Sequence, residues 1–136
     1  MKGKKIGYWG ATGLVGFALF AGGAADVAHV RPVVEGMARI GYPLYFLTIL
    51  GIWKILGGLA LVWPGLPRLK EWAYAGVFFL MTGAAVSHAV CGETGHVVAP
   101  AVLAVLGMVS WALRPESREF RAMAGAGLTG ASLRRV

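Results

Sequence analysis

The chain has 136 residues, of which 57% are hydrophobic and 14% charged, and its formal net charge is +7. A chain of this length is a single domain, and so apolar a composition excludes an ordinary soluble one. The basic residues lie between and beyond apolar runs instead of on one patch, so they indicate membrane topology and argue against nucleic-acid binding. The single cysteine, Cys91, excludes an intramolecular disulfide and the paired thiols of a disulfide-exchange enzyme.

The first apolar segment follows a basic N-terminus and runs without a charge from Ile6 to Ala25. A cleaved signal peptide is the alternative, with a small-residue cleavage site at Gly23–Ala25, but the run is long for a signal sequence and three further spans follow. We therefore expect residues 8–28 to be a retained span, made slender by its glycines so that other helices approach closely. Asp26 and His29 end this span and lie three apart, on one helix face.

A short helix on the membrane surface is predicted between the first and second spans. Pro32 suits the first turn of a helix, and the apolar residues that follow it recur at intervals of three or four. Gly41 and Pro43 would end this interfacial helix.

The second and third spans, residues 44–63 and 71–90, predict a membrane hairpin with a basic tip. Each arm has about the 20 residues that a hydrocarbon layer of about 30 Å requires. Pro64 and Pro67 in the tip prevent the second span from continuing as a helix. Glu71 opens the third span, where an acid is favourable at a helix N-terminus.

A polar turn, Cys91–His96, leads into the fourth span, residues 97–113. We interpret Glu93 and His96 in this turn as ordinary solvated residues. The sequence thus predicts an all-α membrane protein, with a four-transmembrane-helix bundle over residues 1–113. Residues 114–136 are predicted to be a basic, partly disordered tail.

Basic residues set the predicted orientation. Ten of them lie in the two termini and the middle loop, against Arg31 and Arg39 on the other side. By the positive-inside rule, both termini are cytoplasmic, and we expect a multi-pass protein of a bacterial cytoplasmic membrane with the lipid bilayer as its surroundings. A set of polar residues is then expected to gather at the outer face: Asp26, His29, His88, Cys91, Glu93 and His96.

Lys54 is the only charged residue between Ile40 and Pro67, and it falls near the predicted bilayer midplane. Its stem reaches about 6 Å whereas either interface is about 15 Å away, so snorkelling does not suffice. A charge at this depth costs about 2.5 to 3.5 kcal/mol, so Lys54 should face the bundle interior, be neutral or have a partner. A structural hydrogen bond, with Asp26 as the nearest acid, and a role in ligand or proton binding are both open. The neutral polar alternatives are Thr48, Tyr74 and Thr82.

Ser87 and His88 end the third span at the depth where Asp26 and His29 end the first. Two histidines and a carboxylate could bind a metal, relay a proton or hydrogen-bond the carbonyl of a ligand head group. The spacing from His88 to the next cysteine and histidine matches no closed tetrahedral pattern, so no metal site is predicted.

Several motifs in the central half of the chain resemble the DoxX-like family of small four-helix membrane proteins. They are Gly41-Tyr-Pro43, Leu50-Gly-Ile-Trp-Lys-Ile-Leu-Gly-Gly58, Pro67-Arg-Leu-Lys-Glu-Trp-Ala-Tyr-Ala-Gly76 and Gly83-Ala-Ala-Val-Ser-His88. The resemblance implies a four-helix bundle. It places the family's recurrent positions on Lys54, Glu71 and His88, with glycine and proline punctuation that includes Pro67 and Gly76. Relatives commonly continue the Ser-His pair to Gly-Asp, where this chain has Gly92-Glu93.

The wider DoxX/DoxD group includes a membrane subunit tied to thiosulfate oxidation with quinone as acceptor, and relatives that act with redox enzymes or in assembly. The resemblance therefore implies a membrane subunit of a redox system, with a membrane or redox protein partner. Such a subunit would bind a quinone or similar amphipathic molecule near Lys54 and His88; whether it is an enzyme stays open. One alternative is a non-enzymatic assembly factor or carrier of a lipid-like ligand. Another is a small transporter, which would have to be a homo-oligomer because four short spans leave little room for alternating access.

Overall fold

The computed structural model describes residues 1–115, so most of the predicted tail lies outside the described range. Within that range the elements are helical: α1 (Lys2–Val27), α2 (Arg31–Arg39), α3 (Leu44–Val62), α4 (Pro67–Val90) and α5 (Val98–Leu113), with a short 3₁₀ helix at Thr94–His96. Four segments are long and apolar enough to cross a membrane: α1, α3, α4 and the stretch Thr94–Leu113. This confirms the predicted all-α membrane fold with four spans.

The short helix α2 lies between the first two spans, where the sequence predicts an interfacial helix, and none of its residues is buried. Pro67 begins α4 at a first-turn position, where its missing N–H costs nothing. The helix therefore starts four residues before the predicted start of the third span.

The closest helix contact joins α1 to α3 through paired glycines. A Cβ atom on Gly23 would lie 2.7 Å from the carbonyl oxygen of Gly51, and a Cβ on Gly51 would lie 2.7 Å from that of Gly23. Gly16 and Gly58 repeat the pairing one heptad away, with 3.4 Å from a Cβ on Gly58 to the Gly16 carbonyl oxygen. Because the paired positions run in opposite sequence directions, the two helices are antiparallel, and their backbones touch where side chains would prevent it.

The core lies where α1, α3, α4 and α5 face one another. Its buried members are Val15, Leu19, Leu61, Tyr74, Val77, Met81 and Ala104. Large apolar residues such as Phe17, Phe79 and Trp72 are instead exposed on the outside of the bundle. An apolar exterior around a packed interior is what a bilayer surrounding requires.

A buried polar network joins α1, α4 and α5 toward the predicted cytoplasmic side. The Ser110 hydroxyl lies 2.6 Å from the Thr12 hydroxyl and 2.8 Å from that of Tyr74. Thr12 also donates to the carbonyl oxygen of Tyr8, at 2.6 Å. These hydroxyls satisfy one another in the apolar interior, so the network fixes the relative positions of three helices.

Lys70 closes the hairpin between α3 and α4. Its side chain is buried, and its ammonium donates to the carbonyl oxygens of Ala60 at 2.7 Å, Leu61 at 3.3 Å and Trp63. These are carbonyls at the C-terminal end of α3, which lack partners within the helix and carry the negative end of its dipole. The sequence indicates only a basic loop here, whereas the structure makes Lys70 a cap.

Glu71, one residue further, ties the start of α4 to the end of α5. One carboxylate oxygen lies 2.6 Å from Arg114 Nη2, and the other accepts from Trp111 Nε1 at 3.0 Å. Glu71 therefore makes tertiary contacts in addition to the favourable first-turn position that its sequence context indicates.

Candidate functional site

Lys54 and Asp26 form an ion pair inside the bundle. Lys54 Nζ lies 2.6 Å from Asp26 Oδ2, and the side chains are 19% and 4% exposed. The Cα–Cβ bonds of a helix tilt toward its N-terminus, so in the antiparallel pair α1 and α3 the two side chains lean toward each other. Gly22 leaves room beside the ammonium, which lies 3.9 Å from where its Cβ would be.

Of the partners considered for Lys54, the structure thus shows the carboxylate of Asp26. The neutral alternatives hydrogen-bond elsewhere: Thr48 with His29, Tyr74 with Ser110, and Thr82 with the backbone of its own helix. No further hydrogen bond to the ammonium exists among residues 1–115, so two of its three N–H donors remain available beside the ion pair.

His29 lies next to this pair in an unusual backbone conformation. Its φ is 51°, in the left-handed region where the residue after a helix is normally glycine. Gly41 and Gly92, which follow the ends of α2 and α4, have φ of 85° and 77°. A side chain in this conformation costs about 1 to 2 kcal/mol. The ring Nε2 lies 2.8 Å from the Thr48 hydroxyl, which links the end of α1 to α3.

A second polar group centres on Glu93, after the end of α4. One carboxylate oxygen lies 2.6 Å from Arg39 Nε at the end of α2, and the other lies 2.9 Å from His88 Nδ1. The hydrogen bonds from Arg39 and then from His88 hold the pKa of the Glu93 carboxyl below its usual value. The interpretation of Glu93 as an ordinary solvated residue is therefore wrong, since both of its oxygens are engaged.

Ser87 and His96 complete this second group. The Ser87 hydroxyl lies 3.1 Å from the Tyr42 hydroxyl, and the rings of His88 and His96 stack with centroids 5.5 Å apart. These contacts join α2 and the turn after it to the end of α4. Arg39 and Tyr42 were missed as site residues in the sequence, where nothing links them to partners more than 40 positions away.

The expected gathering of outer-face residues is therefore divided in two. Asp26, Lys54 and His29 lie between α1 and α3, while Ser87 and His88 belong to the group around Glu93. Across the described residues 1–115, no hydrogen bond or ion pair connects the two groups. The turn residue Cys91 is exposed.

An apolar cleft of about 650 Å³ lies between α3 and α4, with Leu19 of α1 also in its wall. Its lining includes Trp53, Lys54, Gly57, Trp63, Trp72 and Gly76. In the part of the chain that the structure describes, Lys54 is the only charged residue of this lining, and His88 is not part of it. Several residues of the lining are largely exposed, Trp53 at 66% and Trp72 at 79%, so the cleft is open at the surface of the bundle.

These features define a small helical membrane protein with four spans, an internal ion pair and an apolar cleft. The chain belongs to the DoxX-like family, whose sequence profile matches residues 10–110. It is 34% identical over 91 residues to the uncharacterized protein YdgD of Bacillus subtilis (strain 168), an alignment that covers 67% of this chain and 79% of that protein. No solved structure matches. The resemblance found in the central motifs is thereby confirmed.

Proposed function

We propose that this protein is a membrane subunit that binds a quinone or similar amphipathic small molecule in the cleft between α3 and α4. The observation that carries the proposal is one charged residue, Lys54, in an otherwise apolar cleft of about 650 Å³. That volume falls within the range of small-molecule sites, which combine apolar walls with a few polar groups.

The geometry supports one orientation of the ligand. A carbonyl oxygen of the head group would accept from the free N–H donors of Lys54, and the apolar tail would lie along leucine and tryptophan walls. Because the cleft is open at the surface of a bundle that a bilayer surrounds, a lipid-soluble molecule can enter it from the bilayer without crossing water. The proposed role is to hold this molecule for a membrane or redox partner in a bacterial cytoplasmic membrane, as the family resemblance implies.

Two glycines of α4 offer a matched test. Gly76 lines the cleft, and Gly83, two turns further along α4, does not; a Cβ on either would meet no atom within 4 Å. Gly76→Phe should therefore fill the cleft without disturbing the helix, and Gly83→Phe should add the same side chain elsewhere. Neither change should unfold the bundle, since glycine is a poor helix residue.

The measurement is binding of ubiquinone-2 to protein in phosphatidylcholine nanodiscs, read as quenching of tryptophan fluorescence. We expect saturable quenching in the wild type and in Gly83→Phe, and at least a tenfold weaker response in Gly76→Phe. Equal binding by all three proteins would refute the site. A protein partner that co-purifies without any bound small molecule would instead support the assembly-factor alternative.

A further inference from the structure

The charge of the polar end of the cleft restricts which head group fits there. Lys54 is paired with Asp26 at 2.6 Å, and the Asp26 side chain is only 4% exposed, so the two charges already cancel inside the bundle. Two N–H donors of the ammonium nevertheless remain available. The site therefore offers hydrogen-bond donors without offering net positive charge.

A neutral carbonyl and a carboxylate would meet this end of the cleft very differently. A carbonyl accepts a hydrogen bond from Lys54 and leaves the pair neutral. A carboxylate would bring a second anion close to Asp26 where the surroundings are apolar, so the site would hold an uncompensated negative charge. Such a desolvated like-charge contact is a common means of excluding a wrong ligand.

We infer that the Lys54–Asp26 pair makes the cleft selective for neutral, carbonyl-bearing amphiphiles against long-chain carboxylates, with Asp26 as the specificity-determining residue. This inference rests on the proposed function, since it concerns the same cleft. It adds the class of head group and assigns a role to Asp26, which does not line the cleft itself. Neutralising Asp26 would leave Lys54 as a lone cation, which a carboxylate would then pair with.

Two probes that share their acyl chain and nitroxide, one anionic and one neutral at the head group, test this directly: 5-doxylstearic acid and its methyl ester. Both carry a nitroxide quencher near the head group, and Trp53, beside Lys54 in the cleft lining, reports their arrival. Binding is titrated in phosphatidylcholine nanodiscs at about pH 9, so that the carboxyl group of the acid is ionised even though desolvation at the bilayer surface raises its pKa above the value in water. Because Trp53 is 66% exposed and also meets probe dissolved in the surrounding lipid, the signal assigned to the cleft is the part of the quenching that Gly76→Phe removes.

The wild type should bind the ester at least tenfold more tightly than the acid, and Asp26→Asn should reverse or abolish that preference. Glu35→Gln is the matched control, because it also converts an acid to an amide but lies exposed on α2, paired with Arg31. It should behave as the wild type does. The contrast between the two probes in the wild type is sufficient by itself if Asp26→Asn fails to fold.

Equal or tighter binding of the acid by the wild type would overturn the inference and leave the cleft as a binding site. If neither probe gives any quenching that Gly76→Phe removes, both the inference and the proposed function are overturned. Competition separates two sources of a neutral carbonyl: ubiquinone-2 that displaces the ester supports a quinone. Displacement by dioleoylglycerol and not by ubiquinone-2 would support the head-group class while refuting a quinone as the ligand.

Discussion

Replacing Lys54 by methionine tests whether the ion pair with Asp26 holds the interior together. The change keeps most of the apolar stem and removes the charge, which leaves a carboxylate that is 4% exposed without its partner. At an effective dielectric constant of about 20, two unit charges 2.6 Å apart attract by about 6 kcal/mol before any cost of desolvation is counted. The variant also no longer has to desolvate an ammonium, so we expect a net loss of about 3 kcal/mol.

The assay is unfolding in detergent, followed by helical circular dichroism for the wild type, Lys54→Met, Asp26→Asn and the double variant. We expect Lys54→Met to unfold more easily and Lys54→Met/Asp26→Asn to recover most of the loss, because the double variant contains neither charge. A Lys54→Met protein as stable as the wild type would refute this reasoning. It would mean that a ligand or water, and not Asp26, compensates the charge of Lys54.

Four further experiments probe other parts of the structure. Gly23→Ala should lower the free energy of unfolding by about 1 to 3 kcal/mol in the same assay, because the new Cβ would lie 2.7 Å from the backbone of α3. Gly13→Ala is the control: its Cβ would have no atom within 4 Å, so it should be neutral or slightly stabilising. Lys70→Met should lower the free energy of unfolding by about 1 to 3 kcal/mol, because buried carbonyl oxygens at the end of α3 lose their hydrogen-bond donor. An unchanged unfolding midpoint would contradict the role of Lys70 as a cap. The pKa of the Glu93 carboxyl is lowered in the folded protein, so its contribution to stability is fully present above the ordinary carboxyl pKa of 4.5. That contribution is lost as the pH falls through the folded-state pKa. Glu93→Gln should therefore flatten the acid side of a curve of unfolding free energy against pH. An impermeant maleimide applied to intact cells should label the exposed Cys91, and failure to label it would argue against the predicted orientation.

The spans were predictable because crossing a hydrocarbon layer imposes a length and a composition on each helix. The partner of Lys54 was also accessible to sequence reasoning, since a charge at that depth needs compensation and Asp26 is the acid nearest to it in depth. Sequence alone did not decide between this ion pair and a ligand. That choice depends on how α1 and α3 align, which the glycine pairs determine.

The role of Lys70 and the position of the cleft could not be predicted in the same way. A lysine in a short loop looks solvated, and only the path of the chain after Pro67 brings it under the end of α3. The cleft follows from packing: Gly23 and Gly51 bring α3 against α1, and a space remains between α3 and α4. Individual glycines are visible in a sequence, but which of them face each other is a tertiary property.

The most direct test of the central claim is an inventory of small molecules bound to the protein when it is released from native membranes into a mass spectrometer. We predict a neutral, carbonyl-bearing lipid-soluble molecule on the wild type and on Gly83→Phe, and its loss from Gly76→Phe. The same molecule at the same occupancy on all three proteins, or none on any of them, would contradict a ligand site between α3 and α4.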